Sequence, residues 1–370
     1  MEGDMTQIRR WLMPLSWLYG LGIDIRNTLF DIGILPSVSY DIPIINVGNI
    51  TVGGTGKTPA VEYLIRLLAG KYRVAVLSRG YKRRTKGYIL ATMDSPMEEI
   101  GDEPWQIKQK FPDVYVAVDG NRRRGIERLM ADEATKDVEV ILLDDAYQHR
   151  YVKAGHNILL VDYHRIISDD CLLPAGRLRE RASSSRRAST IIVTKCPRHI
   201  NAMGFRVILS ALHVRPYQQL FFSTFCYGTL RKLWGEGDLE SDMLRKDNMH
   251  VLLLTGIGNP RQMEQDVRRF VQHVTPLSFP DHHYYSRRDA DVIQKAFQAL
   301  PKPRVIITTE KDAARLLHLQ GFCDEVRENT YVFPVEFGIM RDEKEKLDKT
   351  ILDYVRENKR DGRMAPRKKA

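Results

Sequence analysis

Residues 48–58 read GNITVGGTGKT, and no other run constrains the chain as tightly. Glycines let backbone N–H groups converge on an anion, and a helix opening directly behind them adds the positive end of its dipole. Both flanks agree with that use. Ile42 to Val47 (IPIINV) is a short apolar run with the length of a buried strand, and Thr58 to Leu68 carries apolar side chains at helical spacing. Strand, glycine-rich turn, Gly-Lys-Thr and helix together make a phosphate-binding loop of the Walker A kind. Thr51, Val52, Gly53, Gly54, Thr55, Gly56, Lys57 and Thr58 are therefore expected to wrap the phosphates of ATP. Lys57 would bridge the β- and γ-phosphates, and the Thr58 hydroxyl would hold Mg2+. Thr51 departs from the pattern, since such loops usually begin with glycine.

The remainder supplies the sheet that such a loop needs. Apolar runs at Arg73–Leu77, Val114–Val118, Val138–Leu143, Asn157–Val161 and Thr190–Val193 alternate with helical stretches. That alternation predicts an α/β fold of βαβ units around a mostly parallel sheet, as in P-loop kinases. Asp144 and Asp145 close the Val138–Leu143 run, where a carboxylate lies beside the loop and can order Mg2+ through its waters; the spacing does not choose between them. After an aromatic, β-rich stretch from Tyr217 to Leu233 a second alternation begins. Its strands are expected at Val251–Leu254, Val274–Phe279, Val305–Thr308 and Val332–Val335, and its helices at Pro260–Gln272 and Arg288–Ala299. The predicted organisation is an N-terminal segment over 1–35, a P-loop core over 36–220, a smaller α/β domain over 221–358 and a basic, disordered tail over 359–370.

Charge and cysteine usage narrow the partners. Lys and Arg number 57 against 47 Asp and Glu, a formal net charge of +10, which favours anionic partners without choosing among them. The four cysteines are scattered with no C-x-x-C pair, which argues against a zinc site or disulfide framework and for a reducing compartment. The chain opens Met-Glu-Gly-Asp, acidic where a secretory signal is basic. From Trp11 to Ile23 it then runs thirteen residues without a charge. A bilayer span needs about 20 apolar residues, so this stretch does not cross. Arg9 and Arg10 before it, and two tryptophans and a tyrosine within it, suit a helix lying at the headgroup level of a membrane surface. A core helix packed on the first domain is the plainer alternative.

Several motifs recur in a familiar order. TVGGTGKTP at 51–59, Ser78-Arg79-Gly80-Tyr81, Gly101-Asp102-Glu103-Pro104 and DDAYQHR at 144–150 together resemble the tetraacyldisaccharide 4'-kinase family, the lipid A 4'-kinases of Gram-negative envelopes. LLPAGRLRE at 172–180, TKCP at 194–197, GIGNP at 256–260, FPDHH at 279–283 and TTEKDA at 308–313 extend the match over nearly the whole chain. Pro14 to Gly20 is similar to the family's membrane-facing helix. Ala146-Tyr147 replace the usual Gly-Phe, and Arg177 stands where proline is common. The resemblance implies transfer of the ATP γ-phosphate to the 4'-hydroxyl of an acylated glucosamine disaccharide 1-phosphate, yielding lipid IVA. It also implies a Mg2+ requirement and a peripheral place on the cytoplasmic face of the bacterial inner membrane. The enzyme is expected to work as a monomer.

It further implies that Asp102 serves as the base that accepts the hydroxyl proton, working with a histidine that falls on His282, with His283 as the alternative. Read without it, Asp102 and Glu103 before Pro104 are simply a helix start. Arg79, Arg122, Arg123, Arg177 and Arg179 lie in or near the matched loops, and arginine grips phosphate oxygens bidentately. They are candidates for steadying the moving phosphoryl group or the substrate's 1-phosphate. Gln148 and His149 are candidates for positioning nucleotide or substrate, or for bracing the loop. The main rival is a membrane-associated regulatory P-loop ATPase, whose loop carries an extra lysine where Val52 stands. A GTPase needs a carboxylate where Pro197 stands. Nucleic-acid binding is not expected, because no basic patch interleaved with aromatics is present.

Overall fold

The computed structural model describes residues 8–258, 260–281, 283–317 and 319–358, which form two compact units. The larger holds the chain up to Phe225 and again from Phe337, and the smaller runs from Cys226 to Glu336. The larger unit contains α1 (Met13–Asp31), β1 (Ile44–Gly48), α2 (Lys57–Leu68), β2 (Val74–Ser78), β3 (Ile89–Ala91), α3 (Met97–Ile100), α4 (Asp102–Lys110), β4 (Tyr115–Val118) and α5 (Arg122–Ala131). It continues through β5 (Val140–Asp144), β6 (His156–Asp162), β7 (Thr190–Thr194), α6 (Ala202–Leu212) and β8 (Gln219–Tyr227). The smaller unit follows with β9 (Leu230–Lys232), β10 (Asp238–Leu239), α7 (Ser241–Lys246), β11 (His250–Thr255), α8 (Pro260–Val267), β12 (His273–Ser278) and α9 (Arg287–Gln298). Next come β13 (Arg304–Thr309), α10 (Glu310–Leu316), α11 (Asp324–Glu328) and β14 (Thr330–Phe333), and β15 (Val335–Ile339) and α12 (Lys344–Asn358) lead back to the first unit.

The first unit is built on one nine-stranded sheet in the order β15-β8-β7-β6-β1-β5-β2-β4-β3. Strands β8 to β4 pair in parallel, and β3 runs antiparallel to β4. All five residues of β1 are buried, as befits a central strand covered on both faces. Ile45 and Val47 point to the face packed by α2, while Ile44 points to the face that holds Ile126 and Leu129 of α5. Pairing sets the carboxyl ends level: Val47 lies beside Asp144, Leu77 beside Leu143 and Ser78 beside Val118. β1 pairs with β5 and β6 rather than with β2. The turn after it therefore opens where successive crossovers diverge, the usual ligand crevice of such sheets.

The second unit has its own sheet, β10-β9-β14-β13-β11-β12, whose four strands from β14 to β12 are parallel. Its cores lie on both faces, around Leu253, Ile307 and Phe333 on one and Leu254, Ile306 and Phe297 on the other.

Two sequence expectations are corrected here. The boundary falls at residue 225 rather than 220, because β8 completes the first sheet by pairing with β7. The smaller domain also stops at 336, not 358. Leu347, Ile351 and Val355 of α12 are spaced four apart, a single helical stripe, and all three are buried in the cluster that contains Ile45 and Val47. The Tyr354 hydroxyl donates to the Ile44 carbonyl and accepts from the Ile44 amide, both at 3.1 Å.

The N-terminal segment forms no unit of its own. Ser16, Gly20 and Phe30 are the buried residues of α1, while Trp11, Leu15, Trp17, Leu18 and Leu21 stand exposed. One narrow side of α1 is thus packed on the first unit, and the rest of its apolar side chains are not buried. Among the described residues no helix is long and apolar enough to cross a membrane. The tail over 359–370 lies outside the described residues. Because α12 seals the face behind β1, Ile351→Ala is expected to lower the unfolding free energy by about 2–5 kcal/mol. Urea unfolding followed by circular dichroism checks this.

Candidate active site

The turn after β1 is held from three sides. Inside it, the Asn49 side-chain amide donates to Thr55 Oγ1 at 2.8 Å. From β7, the Thr194 hydroxyl donates to the Thr55 carbonyl at 2.9 Å, and Gln148 Nε2 donates to the Asn49 carbonyl at 2.7 Å. Along its first half runs a ribbon: Val52 N–H donates to the Arg177 carbonyl at 2.8 Å, and Arg179 N–H to the Ile50 carbonyl at 2.7 Å. These bonds explain Thr51. It pairs with Leu178 as an isolated bridge, a conformation that needs no glycine, whereas φ is +117° at Gly53 and +78° at Gly56, where glycine is the natural choice. The ribbon is in turn docked on α1. Ser16 Oγ donates to the Leu172 carbonyl at 3.0 Å and accepts from Ala175 N–H at 2.9 Å, and Tyr19 Oη donates to the Arg179 carbonyl at 3.0 Å. A Cβ on Gly20 would lie 2.7 Å from Leu172.

Lys57 and Thr58 begin α2, and each already faces a carboxylate. Lys57 Nζ lies 3.6 Å from Asp145 Oδ1, and Thr58 Oγ1 donates to Glu103 Oε1 at 3.4 Å. Asp144 and Asp145 divide the work between them. Asp144 is buried, accepts from Ser78 Oγ at 3.1 Å and leaves its Oδ1 with no hydrogen-bond partner. Burial, with Glu103 and Asp145 adding repulsion, pushes its carboxyl up to about 7 against the pull of Lys57. Asp145 goes the other way. Its burial is outweighed by Lys57 and Arg179, which hold it below the usual carboxylate range, and Arg179 lies at 3.3 Å.

The candidate residues sort by what they touch. Arg179 reaches the Asp145 carboxylate, and exposed Arg177 flanks the loop on the ribbon. Arg122 corrects an expectation: it is buried and donates to the carbonyls of Asp119 and Asp144 at 2.8 and 3.0 Å. It braces the carboxylate strand from behind instead of presenting its fork to a ligand. Arg123, on the same helical turn, is half-buried with its Nε unpartnered. Arg79 is exposed at the end of β2. Gln148 takes the bracing role, and its own carbonyl accepts from Arg26 at 2.8 Å. His149 has a buried Nε2 without a partner, and burial beside Arg122, Arg26 and Arg79 pushes the ring down to about 4, so it is neutral at physiological pH.

Asp102 opens α4, its Oδ1 accepting from the Glu103 amide at 3.0 Å. Sequence reasoning passed over Glu103, whose carboxylate meets Thr58; the signal was its place one residue beyond the candidate base. His282 lies outside the described residues. His283, the alternative, is engaged locally: its Nε2 lies 3.1 Å from Asp289 Oδ2, and its ring stacks on Phe279 at 4.9 Å.

The family model described as Tetraacyldisaccharide-1-P 4'-kinase matches residues 8–356. The tetraacyldisaccharide 4'-kinase of Phocaeicola vulgatus is 50% identical over 361 residues, covering 97% of this chain and 99% of its own. That of Porphyromonas gingivalis is 44% identical, covering 96% and 100%. A crystal structure of LpxK from Aquifex aeolicus in complex with ATP superposes with a TM-score of 0.72 at 30% identity, covering 94% of this chain and 99% of that one. The chain belongs to the tetraacyldisaccharide 4'-kinase family.

Proposed function

We propose that this protein transfers the γ-phosphoryl group of ATP to the 4'-hydroxyl of a tetraacylated disaccharide 1-phosphate, with Asp102 as the proton acceptor. One observation carries the reading. The phosphate loop after β1, the aspartates after β5 and the start of α4 converge, through Lys57–Asp145 and Thr58–Glu103 contacts, on one sheet edge. Phosphoryl transfer asks a protein for positioning and charge neutralisation more than for covalent chemistry, and these residues supply both. Thr51 to Thr58 receive the phosphates, with Lys57 moving from Asp145 to the β- and γ-oxygens. Arg179, released from Asp145 in the same exchange, is placed for the transferring group. Asp102, oriented by the Glu103 amide, takes the proton of the attacking hydroxyl.

The donor set also fits Mg2+. Thr58, Glu103 and Asp144 offer only hard oxygen atoms, and the orphaned Asp144 Oδ1 is a buried oxygen in want of a cation. Mg2+ commonly keeps several waters and phosphate oxygens of its own, so one or two carboxylates suffice to hold it. When bound, Mg2+ would neutralise charge on the phosphate oxygens.

The acceptor is a lipid, and α1 is suited to meet it. Its exposed Trp17, Leu18 and Leu21, with Trp11 just before it, give an apolar surface of the kind that lies in the headgroup layer. This reading places the protein peripherally on the cytoplasmic face of the inner membrane.

Transfer of radiolabel from γ-labelled ATP to the acylated disaccharide, resolved by thin-layer chromatography, tests the reaction; label that never reaches lipid would end the proposal. Asp102→Ala is expected to lower kcat by about 10²–10⁴-fold while ATP binding, measured by calorimetry, stays near wild type. Asp144 yields a signed pH effect. Its folded pKa of about 7 lies above the ordinary value of 3.8, so the folded state binds the extra proton and Asp144 costs stability as pH rises from about 4 through 7. In nucleotide-free protein Asp144→Asn is therefore expected to raise the melting temperature above pH 7, with the gain vanishing below pH 4, while kinase turnover falls. Flotation with vesicles containing phosphatidylglycerol checks α1: Trp17→Glu with Leu21→Glu should abolish co-flotation without moving the melting temperature.

A further inference from the structure

Two helices bring the site together, and a buried line of polar side chains joins them. α2 opens with Lys57 and Thr58, and α4 opens with Asp102 and Glu103. Thr58 and Glu62 are one turn apart on α2, while Glu103, Gln106 and Lys110 follow at steps of three and four on α4, so each set shares a helix face. The contacts between the two faces ascend together. Thr58 Oγ1 donates to Glu103 Oε1 at 3.4 Å, and one turn further on Gln106 Nε2 donates to Glu62 Oε1 at 3.1 Å. Lys110 Nζ then lies 2.6 Å from Glu62 Oε2, and Arg66 reaches the same oxygen at 3.5 Å. The Glu62 side chain is 1% exposed and that of Lys110 16%, and Gln106 is buried. Ile65 and Ile107, from the same two helices, lie in the cluster that contains Ile45 and Val47, so this polar ladder borders the apolar core.

Such a ladder does for two helices what apolar packing alone cannot. Hydrophobic burial is non-directional, whereas sliding α4 by one residue would move it about 1.5 Å and turn it about 100°. That step would leave the Glu62 carboxylate buried and unpaired, a costly state. The ladder is not the cheapest way to join the helices. Replacing a whole buried ion pair with apolar side chains is often neutral or stabilising, and Gln106 keeps a buried Oε1 with no hydrogen-bond partner among the described residues. Geometry, rather than stability, is what those costs secure. We propose that Glu62, Gln106 and Lys110 are positioning residues: they fix the axial register of α4 against α2, and with it the place of the Asp102 carboxylate relative to phosphate held by Lys57 and Thr58. A misplacement of about 1 Å at a reacting group can cost about 10²-fold in rate.

The inference rests on Asp102 as the proton acceptor, and the experiment separates the two. Transfer from γ-labelled ATP to the acylated disaccharide 1-phosphate is followed for wild-type protein, for Asp102→Ala, for the apolar ladder variant Glu62→Met, Gln106→Leu, Lys110→Met, and for the two combined. The ladder variant is expected to melt no lower than wild type and to keep the KM for ATP, while kcat falls about tenfold or more. On the Asp102→Ala background the same three changes should lower kcat by less than about twofold, because a ladder that acts through Asp102 has nothing left to place. An unchanged kcat, or an equal fall on both backgrounds, overturns the positioning role. A fall accompanied by a raised KM for ATP overturns it as well, since that marks a general loosening of the site. Gln106→Leu alone, which keeps the Glu62–Lys110 pair, carries the same comparison if the triple variant melts below the assay temperature. Wild-type turnover in Asp102→Ala would instead sink the proton-acceptor reading, and the positioning role with it.

Discussion

Everything in the site depends on a backbone register. Val47 pairs with Asp144, which fixes the last turn of the nucleotide strand against the last residue of the carboxylate strand. A slip of one residue in a strand reverses which side chains face which layer, so the register is protected by burial on both faces. Ile45 and Val47 are locked under α2 and α12, and Ile141 and Leu143 under α5. Arg122 adds a further tie by binding the Asp144 carbonyl from behind. A core of this kind is the reason that Lys57, Thr58, Asp144 and Asp145 can be held close together despite the charge they concentrate.

That concentration is itself a strained arrangement. A buried carboxylate pushed up to about 7 destabilises the fold above that pH, and the cost persists because a cation and a triphosphate would relieve it. Active sites commonly retain such perturbed groups. Asp145, by contrast, has its charge satisfied by Lys57 and Arg179.

Much of this could be read from the residues. The loop, its two aspartates and the parallel strands around them announce themselves by local pattern, because glycine, Lys-Thr and short apolar runs are chemically specific. What escaped was non-local. Nothing before Leu347 signals that α12 will return to the first unit, since its stripe of Leu347, Ile351 and Val355 states only that one face is buried, not where. Arg122 looked like a ligand arginine because sequence does not reveal which way a side chain on the first turn of a helix points. Glu103 was hidden by its neighbour: two acids at a helix start look alike until Thr58 is seen to donate to the second of them.

The close approach at Gly20 has a reach beyond packing. With no side chain there, α1 settles against Leu172 while its other side stays greasy, and Leu172 belongs to the same ribbon whose Arg177 and Arg179 border the nucleotide turn. Helix, ribbon and turn thus make one stiff bracket. Whatever the greasy side rests on, the nucleotide turn is thereby held at a set distance from it.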